Sequence, residues 1–151
     1  MADNSYPPSA FYFKVIFDSQ SNQYDTSFED ISGMGSKIET EPYAELGENG
    51  FVYQLPKSIS YTNLVLKRGI ADFNSPLVEW CSKIFGGDFA VPILPVQMWV
   101  HLMNEDKEPL RAWSFENAFP VSWDVENFNS TKGKIAIEKI ELKYNKMERI
   151  K

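Results

Sequence analysis

The chain has 151 residues, 43% apolar and 15% aromatic, which is enough for the core of one compact domain and too little for two. Charged residues at 24% exclude a disordered polyelectrolyte, and a net charge of −6 points away from nucleic-acid backbones and anionic membrane surfaces. The single cysteine, Cys81, excludes an internal disulfide.

Residues 1–9 are read as a flexible N-terminus; they hold neither the basic region nor the apolar run of a signal peptide. With no bilayer-length apolar stretch either, the expectation is synthesis in a cytoplasm without a membrane anchor. The first strand is expected over 11–17, where Phe11, Phe13, Val15 and Phe17 share one face. Residues 26–42 read as a long strand pair bent or bulged at Gly33-Met34-Gly35. Residues 42–57 then read as an acidic, glycine-loosened loop, of a length that is usually functional or partner-bound. A third strand is expected over 59–68. A helix is expected over 76–85, capped by Ser75 with Pro76 in its first turn. Its buried stripe would be Leu77, Trp80, Cys81, Ile84 and Phe85, and Gly86-Gly87 would supply a left-handed stop.

Residues 93–104 form the clearest alternating strand, with Leu94, Val96, Met98, Val100 and Leu102 on one face. Pro95 favours an edge or a bulge there. A last pair is expected over 111–125 and 134–144. Ile135 and Ile137 are out of phase with Ile140, Leu142 and Tyr144, which calls for a bulge near Glu138 or burial of both faces. The basic tail Lys143, Lys146, Arg149 and Lys151 reads as a solvated strand end. The fold class is therefore mainly β: an antiparallel sandwich or barrel of about six strands with one external helix, in a single domain over 1–151.

No complete catalytic set emerges, so the chain is read as a non-enzyme. His101 is the only histidine and sits mid-strand beside Trp99, which removes Ser-His-Asp and Cys-His chemistry. No zinc set can be assembled, no phosphate-cradling glycine loop is present, and no cofactor is implied. Glu39, Glu41, Glu45 and Glu48 read as a solvated acidic loop in place of a carboxylate pair. Trp99, Trp113 and Trp123 are assigned to the core or to a neighbouring subunit ahead of a ligand platform.

Four segments in order carry a family resemblance. Phe13-Lys14-Val15 with Phe28-Glu29-Asp30-Ile31-Ser32-Gly33-Met34 leads into a V-S-G-L-like turn. Tyr61-Thr62-Asn63-Leu64-Val65-Leu66-Lys67-Arg68-Gly69-Ile70 followed by Leu77-Val78-Glu79-Trp80 supplies the central signature. Trp113-Ser114-Phe115-Glu116-Asn117-Ala118-Phe119-Pro120-Val121 matches a W-x-F-x-N-A-Y-P hairpin, and 135–144 matches a closing strand. Together they resemble the contractile-phage tail tube protein family, which includes inner tube subunits of extracellular contractile injection systems. The resemblance implies a homo-hexameric ring that stacks into a tube with cargo in its lumen. It also implies a surrounding sheath protein, baseplate and spike proteins, and a tube cap as partners, with no specific nucleic-acid binding. The helix would lie on the outer side, and the 42–57 loop would reach a neighbouring ring. Glu41, Tyr43, Glu45, Glu48, Phe51, Tyr53, Lys67 and Arg68 are then the candidate inter-subunit or inter-ring contacts. Assembly into a phage-tail-like particle, released from the cell in some systems, follows from the same resemblance. Competing readings are a baseplate-end adaptor ring, a monomeric ligand-binding β-barrel, and a carboxylate hydrolase.

Overall fold

The computed structural model describes residues 11–17, 23–45, 47, 50–69, 75–87, 92–125 and 136–151. The expected flexible N-terminus, together with Glu48 and Ile135, lies outside the described residues. The described elements run β1 (Tyr12–Phe17), β2 (Gln23–Phe28), β3 (Asp30–Ser32), β4 (Ser36–Tyr43), β5 (Tyr53–Tyr61), β6 (Leu64–Gly69), α1 (Pro76–Gly86), β7 (Val96–Met103), β8 (Pro109–Val125), β9 (Ile137–Lys143) and β10 (Lys146–Arg149). The class is mainly β with one helix, as the alternation implied. Among the described residues there are ten strands against the six expected, because the segments expected over 26–42 and 59–68 break at specific residues and β10 follows the last expected strand.

The main sheet is antiparallel in the order β2-β1-β7-β8-β9-β6-β3, with β10 beside β8, and β4-β5 form a separate pair. β2 and β3 are pieces of one segment broken at Glu29, whose N–H donates to the Lys67 carbonyl at 2.9 Å. β2 pairs with β1 and β3 pairs with β6, so this one segment occupies both ends of the sheet and rolls it into a barrel. The interior is filled by Val15, Phe17, Leu64, Leu66, Met98, Val100, Phe115, Ile140 and Leu142, all essentially inaccessible. Packing of that kind supplies most of the folding free energy, at roughly 1.5–3 kcal/mol for each large side chain removed from water.

β8 serves two partners. Its first half lies between β7 and β10, and its second half pairs with β9. The change of partner falls at Asn117, which adopts φ 54°, a left-handed conformation that asparagine tolerates and β-branched residues do not. Asn117→Gly should leave stability nearly unchanged in urea unfolding, whereas Asn117→Val should lose about 1–2 kcal/mol. Equal midpoints for the two variants would show that the backbone conformation is not what selects the residue.

Several expectations are corrected. The 59–68 strand is two strands in different sheets, separated by Thr62-Asn63. The tail around Lys146 is a paired strand, β10, and not only a solvated end. In the 93–104 stretch the strand begins at Val96, after Pro95, and Leu94 is 74% exposed. The buried phase also shifts at the far end, where Met103 is buried and Leu102 only half so, at an irregularity in the β7–β8 register. Helix α1 has the expected Ser75 cap, accepting from Val78 N at 3.4 Å. Its packed face is rotated: Val78 is buried with Leu77 and Cys81, while Phe85 is exposed and stacks on Trp123 with ring centroids 6.3 Å apart. Its end is not left-handed, since Gly87 has φ −90° and ψ −5°.

In β9 the buried residues are Glu138, Ile140 and Leu142 in one unbroken phase, continued by Tyr144. Neither a bulge in β9 nor burial of both faces is needed. A carboxylate occupies a core position because a guanidinium faces it: Arg68 pairs with Glu138 in the β6–β9 register, and both are buried.

Candidate assembly surface

β4 and β5 leave the barrel at a single junction. Gly33 has φ 84°, and a Cβ built on it would lie 1.8 Å from the Asn63 carbonyl oxygen. Its own carbonyl accepts from Thr62 Oγ1 at 2.6 Å, from Gly35 N at 2.9 Å and from the Tyr144 hydroxyl at 3.3 Å. Burial raises the Tyr144 pKa above its ordinary value, with Tyr61 adding to the shift and the Thr62 hydrogen bond opposing it, so the phenol stays a donor. The expected bend at Gly33-Met34-Gly35 is therefore a three-point anchor from which the chain departs.

Beyond it, β4 and β5 pair from Ser36↔Tyr61 to Tyr43↔Tyr53, with an irregularity after Glu39. The expected 42–57 loop is thus strand at both ends, at 42–43 and 53–57, and 44–52 connects the arms. Nearly every residue of the pair is exposed, on both faces. Ile38 and Ile59 are opposite one another at 58% and 60% exposure. At the far end Tyr43 faces Tyr53, and Phe51 meets Tyr53 edge-on at 4.8 Å. Leu55 and Val52 add to the exposed apolar surface. The polar links are side-chain bonds within the hairpin, Ser60 Oγ to Glu39 Oε1 at 3.0 Å and Thr40 Oγ1 with Gln54 Oε1 at 3.3 Å.

Of the candidate contacts, the structure gathers Glu41, Tyr43, Glu45, Phe51 and Tyr53 on this hairpin, all exposed. Glu48 lies outside the described residues. Lys67 is elsewhere, half-buried on the outward phase of β6, in a register row Asp30↔Lys67↔Lys139↔Asp124 that crosses four strands. Arg68 is a correction. An inter-subunit contact needs an accessible side chain, and Arg68 is 4% exposed. It donates to Ser75 Oγ at 2.7 Å, lies 3.8 Å from Glu138 Oε2 and covers the Phe28 ring at 4.7 Å. It ties β6 and β9 to the cap of α1. The alternating phase of 64–69 was the available signal: Leu64, Leu66 and Arg68 point inward together.

Ile38, Leu55 and Ile59 belong to the surface and were missed. Pro42 and Pro56 lower strand propensity in this stretch, yet prolines are tolerated in a two-stranded ribbon where every strand is an edge. Of the tryptophans, Trp113 and Trp123 pack against the core, and Trp99 is half-buried on the other phase of β7. His101 is paired with Lys14 across β1–β7, and burial, then Lys14 and Lys151, hold its pKa below the ordinary 6.5. Among the described residues no group of three or more His, Cys, Asp or Glu is placed to hold a metal ion, and no helix is long and apolar enough to cross a membrane.

A rolled antiparallel barrel with one helix and a projecting, two-faced apolar hairpin defines a subunit built for assembly. The same fold occurs in solved structures. A chain of the anti-feeding prophage baseplate superposes with TM-score 0.77 at 24% identity, over 97% of both chains. A chain of the PVC sheath/tube terminator, from an extracellular contractile injection system, gives 0.76 at 22% identity over 98% of this chain and 99% of that one. A chain of the PVC sheath–tube complex in its extended state gives 0.73 at 22% identity, over 97% and 93%. No curated protein sequence matches. Residues 9–148 match the family model of the T4-like virus tail tube protein gp19, and the chain belongs to that family. It is a structural subunit of a tube of the phage-tail or contractile-injection kind.

Proposed function

We propose that copies of this chain close into homo-hexameric rings that stack into a hollow inner tube, a conduit for cargo within a sheath and between a baseplate and a cap. The observation that carries this reading is the β4–β5 hairpin, which exposes apolar side chains on both faces. A two-stranded ribbon is marginal on its own in water, and a contiguous apolar patch on a soluble subunit marks a contact surface. Burying both faces between neighbouring copies removes both liabilities at once. Rings also cover open sheet edges, which otherwise invite uncontrolled pairing.

On this reading the chain is not an enzyme, and it ends up in a phage-tail-like particle. The barrel interior is occupied by Phe115, Met98, Val100 and Leu142, packing that a ligand-binding barrel would have to give up. A terminal or adaptor ring is the second reading, supported by the likeness to chains in a baseplate and a terminator. It predicts a protein that stops tube growth instead of extending it.

The test removes residues 41–53 and joins Thr40 to Gln54, already in side-chain contact, through a short Asn-Gly turn. The barrel should fold with a cooperative unfolding transition, and tube formation should be lost. Tubes that still form from the shortened chain would refute the role given to the hairpin.

A further inference from the structure

Helix α1 covers part of the barrel with Leu77, Val78 and Cys81 buried on its packed face. Isolated helices shorter than about 12–15 residues are marginal in water, and α1 has 11, so its order depends on what holds it down. It takes no part in strand pairing, and the ladders of the main sheet run between strands alone.

Both ends of the helix are fastened to the same pair of buried charges. At the N-terminus the cap, Ser75, accepts from Arg68 Nη2 at 2.7 Å and from Val78 N at 3.4 Å, so one hydroxyl serves helix and barrel together. In the last turn Phe85 stacks on Trp123 at 6.3 Å, and the Trp123 indole N–H donates to Glu138 Oε1 at 2.6 Å. Arg68 Nε and Glu138 Oε2 then meet at 3.8 Å across the β6–β9 register. The path Ser75–Arg68–Glu138–Trp123–Phe85 thus joins the first and last turns of a helix about 16 Å long.

We propose that the Arg68–Glu138 pair is a latch, and that α1 opens from the barrel as one unit when the pair is weakened. Because one pair serves both ends, loss of one charge loosens the cap and the last turn together. The barrel stays closed during this opening, held by its own ladders and by the core of Phe115, Met98 and Leu142. Opening of one element below the free energy of global unfolding is the behaviour of a unit with few buried contacts. An opened helix turns its apolar stripe toward water, so the latch also governs how much apolar surface the subunit shows.

Cys81, the single cysteine of the chain, is fully buried on the packed face and reports the opening directly. Its labelling by an aromatic disulfide reagent is followed in the full chain at rising urea, below the unfolding transition. The wild type should label slowly, at a rate nearly independent of urea, as an opening that exposes little surface requires. Glu138→Gln keeps an acceptor for Trp123 but removes the charge, and should raise that rate at least tenfold with the same flat urea dependence. Trp123→Phe keeps a ring beside Phe85 and cuts the link to Glu138. It should raise the rate by a smaller factor, and it serves if Glu138→Gln does not fold. Val100→Ala, on β7 in the barrel core, should lower the unfolding midpoint and leave the low-urea rate unchanged. Labelling that climbs with urea in parallel with global unfolding would overturn the proposal, as would a rate that neither Glu138→Gln nor Trp123→Phe changes. Hydrogen exchange is the independent readout: in Glu138→Gln the amides of α1 should exchange well before those of β7 and β9. Simultaneous exchange of helix and barrel would contradict a separate opening.

Discussion

Gly33→Ala should lower the unfolding free energy by about 3 kcal/mol or more, read from the denaturant midpoint. Two effects add. The first is the left-handed conformation at φ 84°, worth about 1–2 kcal/mol for a residue with a Cβ. The second is the collision of that Cβ with the Asn63 carbonyl oxygen at 1.8 Å and carbonyl carbon at 2.9 Å. The obstacle is backbone, and Asn63 is followed by Leu64, which is fully buried, so the collision cannot be relieved by a side-chain rotation. Moving Gly33 would also disturb the three donors that converge on its carbonyl. Gly47 provides the control. It has φ 96° and nothing within 4 Å of an added Cβ, so Gly47→Ala should show the conformational penalty alone. Equal losses at the two glycines would mean that the close approach to Asn63 does not matter.

Glu138→Ala should be comparably damaging, by about 3–5 kcal/mol, because it deletes one member of a buried charge pair. Glu138 is 3% exposed; its Oε1 accepts from Trp123 Nε1 at 2.6 Å and its Oε2 lies 3.8 Å from Arg68 Nε. Without that carboxylate the indole N–H loses its acceptor, and the Arg68 guanidinium stays in the interior with an opposite charge gone. The double variant Arg68→Met/Glu138→Leu should recover most of the loss, since an apolar pair of similar size avoids the desolvation penalty altogether. Adding Trp123→Phe should recover more by removing the indole donor. A double-mutant cycle in which the Arg68 and Glu138 effects simply add would show that the two charges do not act together.

These two sites mark the limit of what alternation alone reveals. The strands that pack one face on the core were legible: Phe13, Val15 and Phe17, then Ile140, Leu142 and Tyr144, fall on the phase that is covered. So was the helix, because Ser75-Pro76 and the apolar spacing agree. Glu138 was not, since a paired carboxylate at a core position looks polar in sequence, and its partner Arg68 is seventy residues away in the chain. Phe11 follows the period of β1 yet is exposed, because it lies just before the strand begins.

The hairpin was the largest departure. A ribbon exposed on both faces has no covered side to impose a period of two, so Ile38 through Tyr43 and Tyr53 through Ile59 carry no clean pattern. Its prolines and glycines then make it resemble a loop. The candidates Glu41, Tyr43, Phe51 and Tyr53 lie on this one hairpin. Lys67 and Arg68 entered through their position in the signature stretch, and the fold gives Arg68 an internal task. Asn117 belongs to another motif of the family resemblance, and its left-handed backbone gives a physical reason for that residue at the change of partner in β8.

Electron microscopy of the purified wild-type chain over a range of concentrations tests the tube assignment most directly. Stacked six-membered rings or hollow tubes of uniform width are expected, with the 41–53 deletion reduced to dispersed particles under the same conditions. A wild-type chain that remains monomeric at every concentration, its apolar hairpin exposed to water, would contradict it.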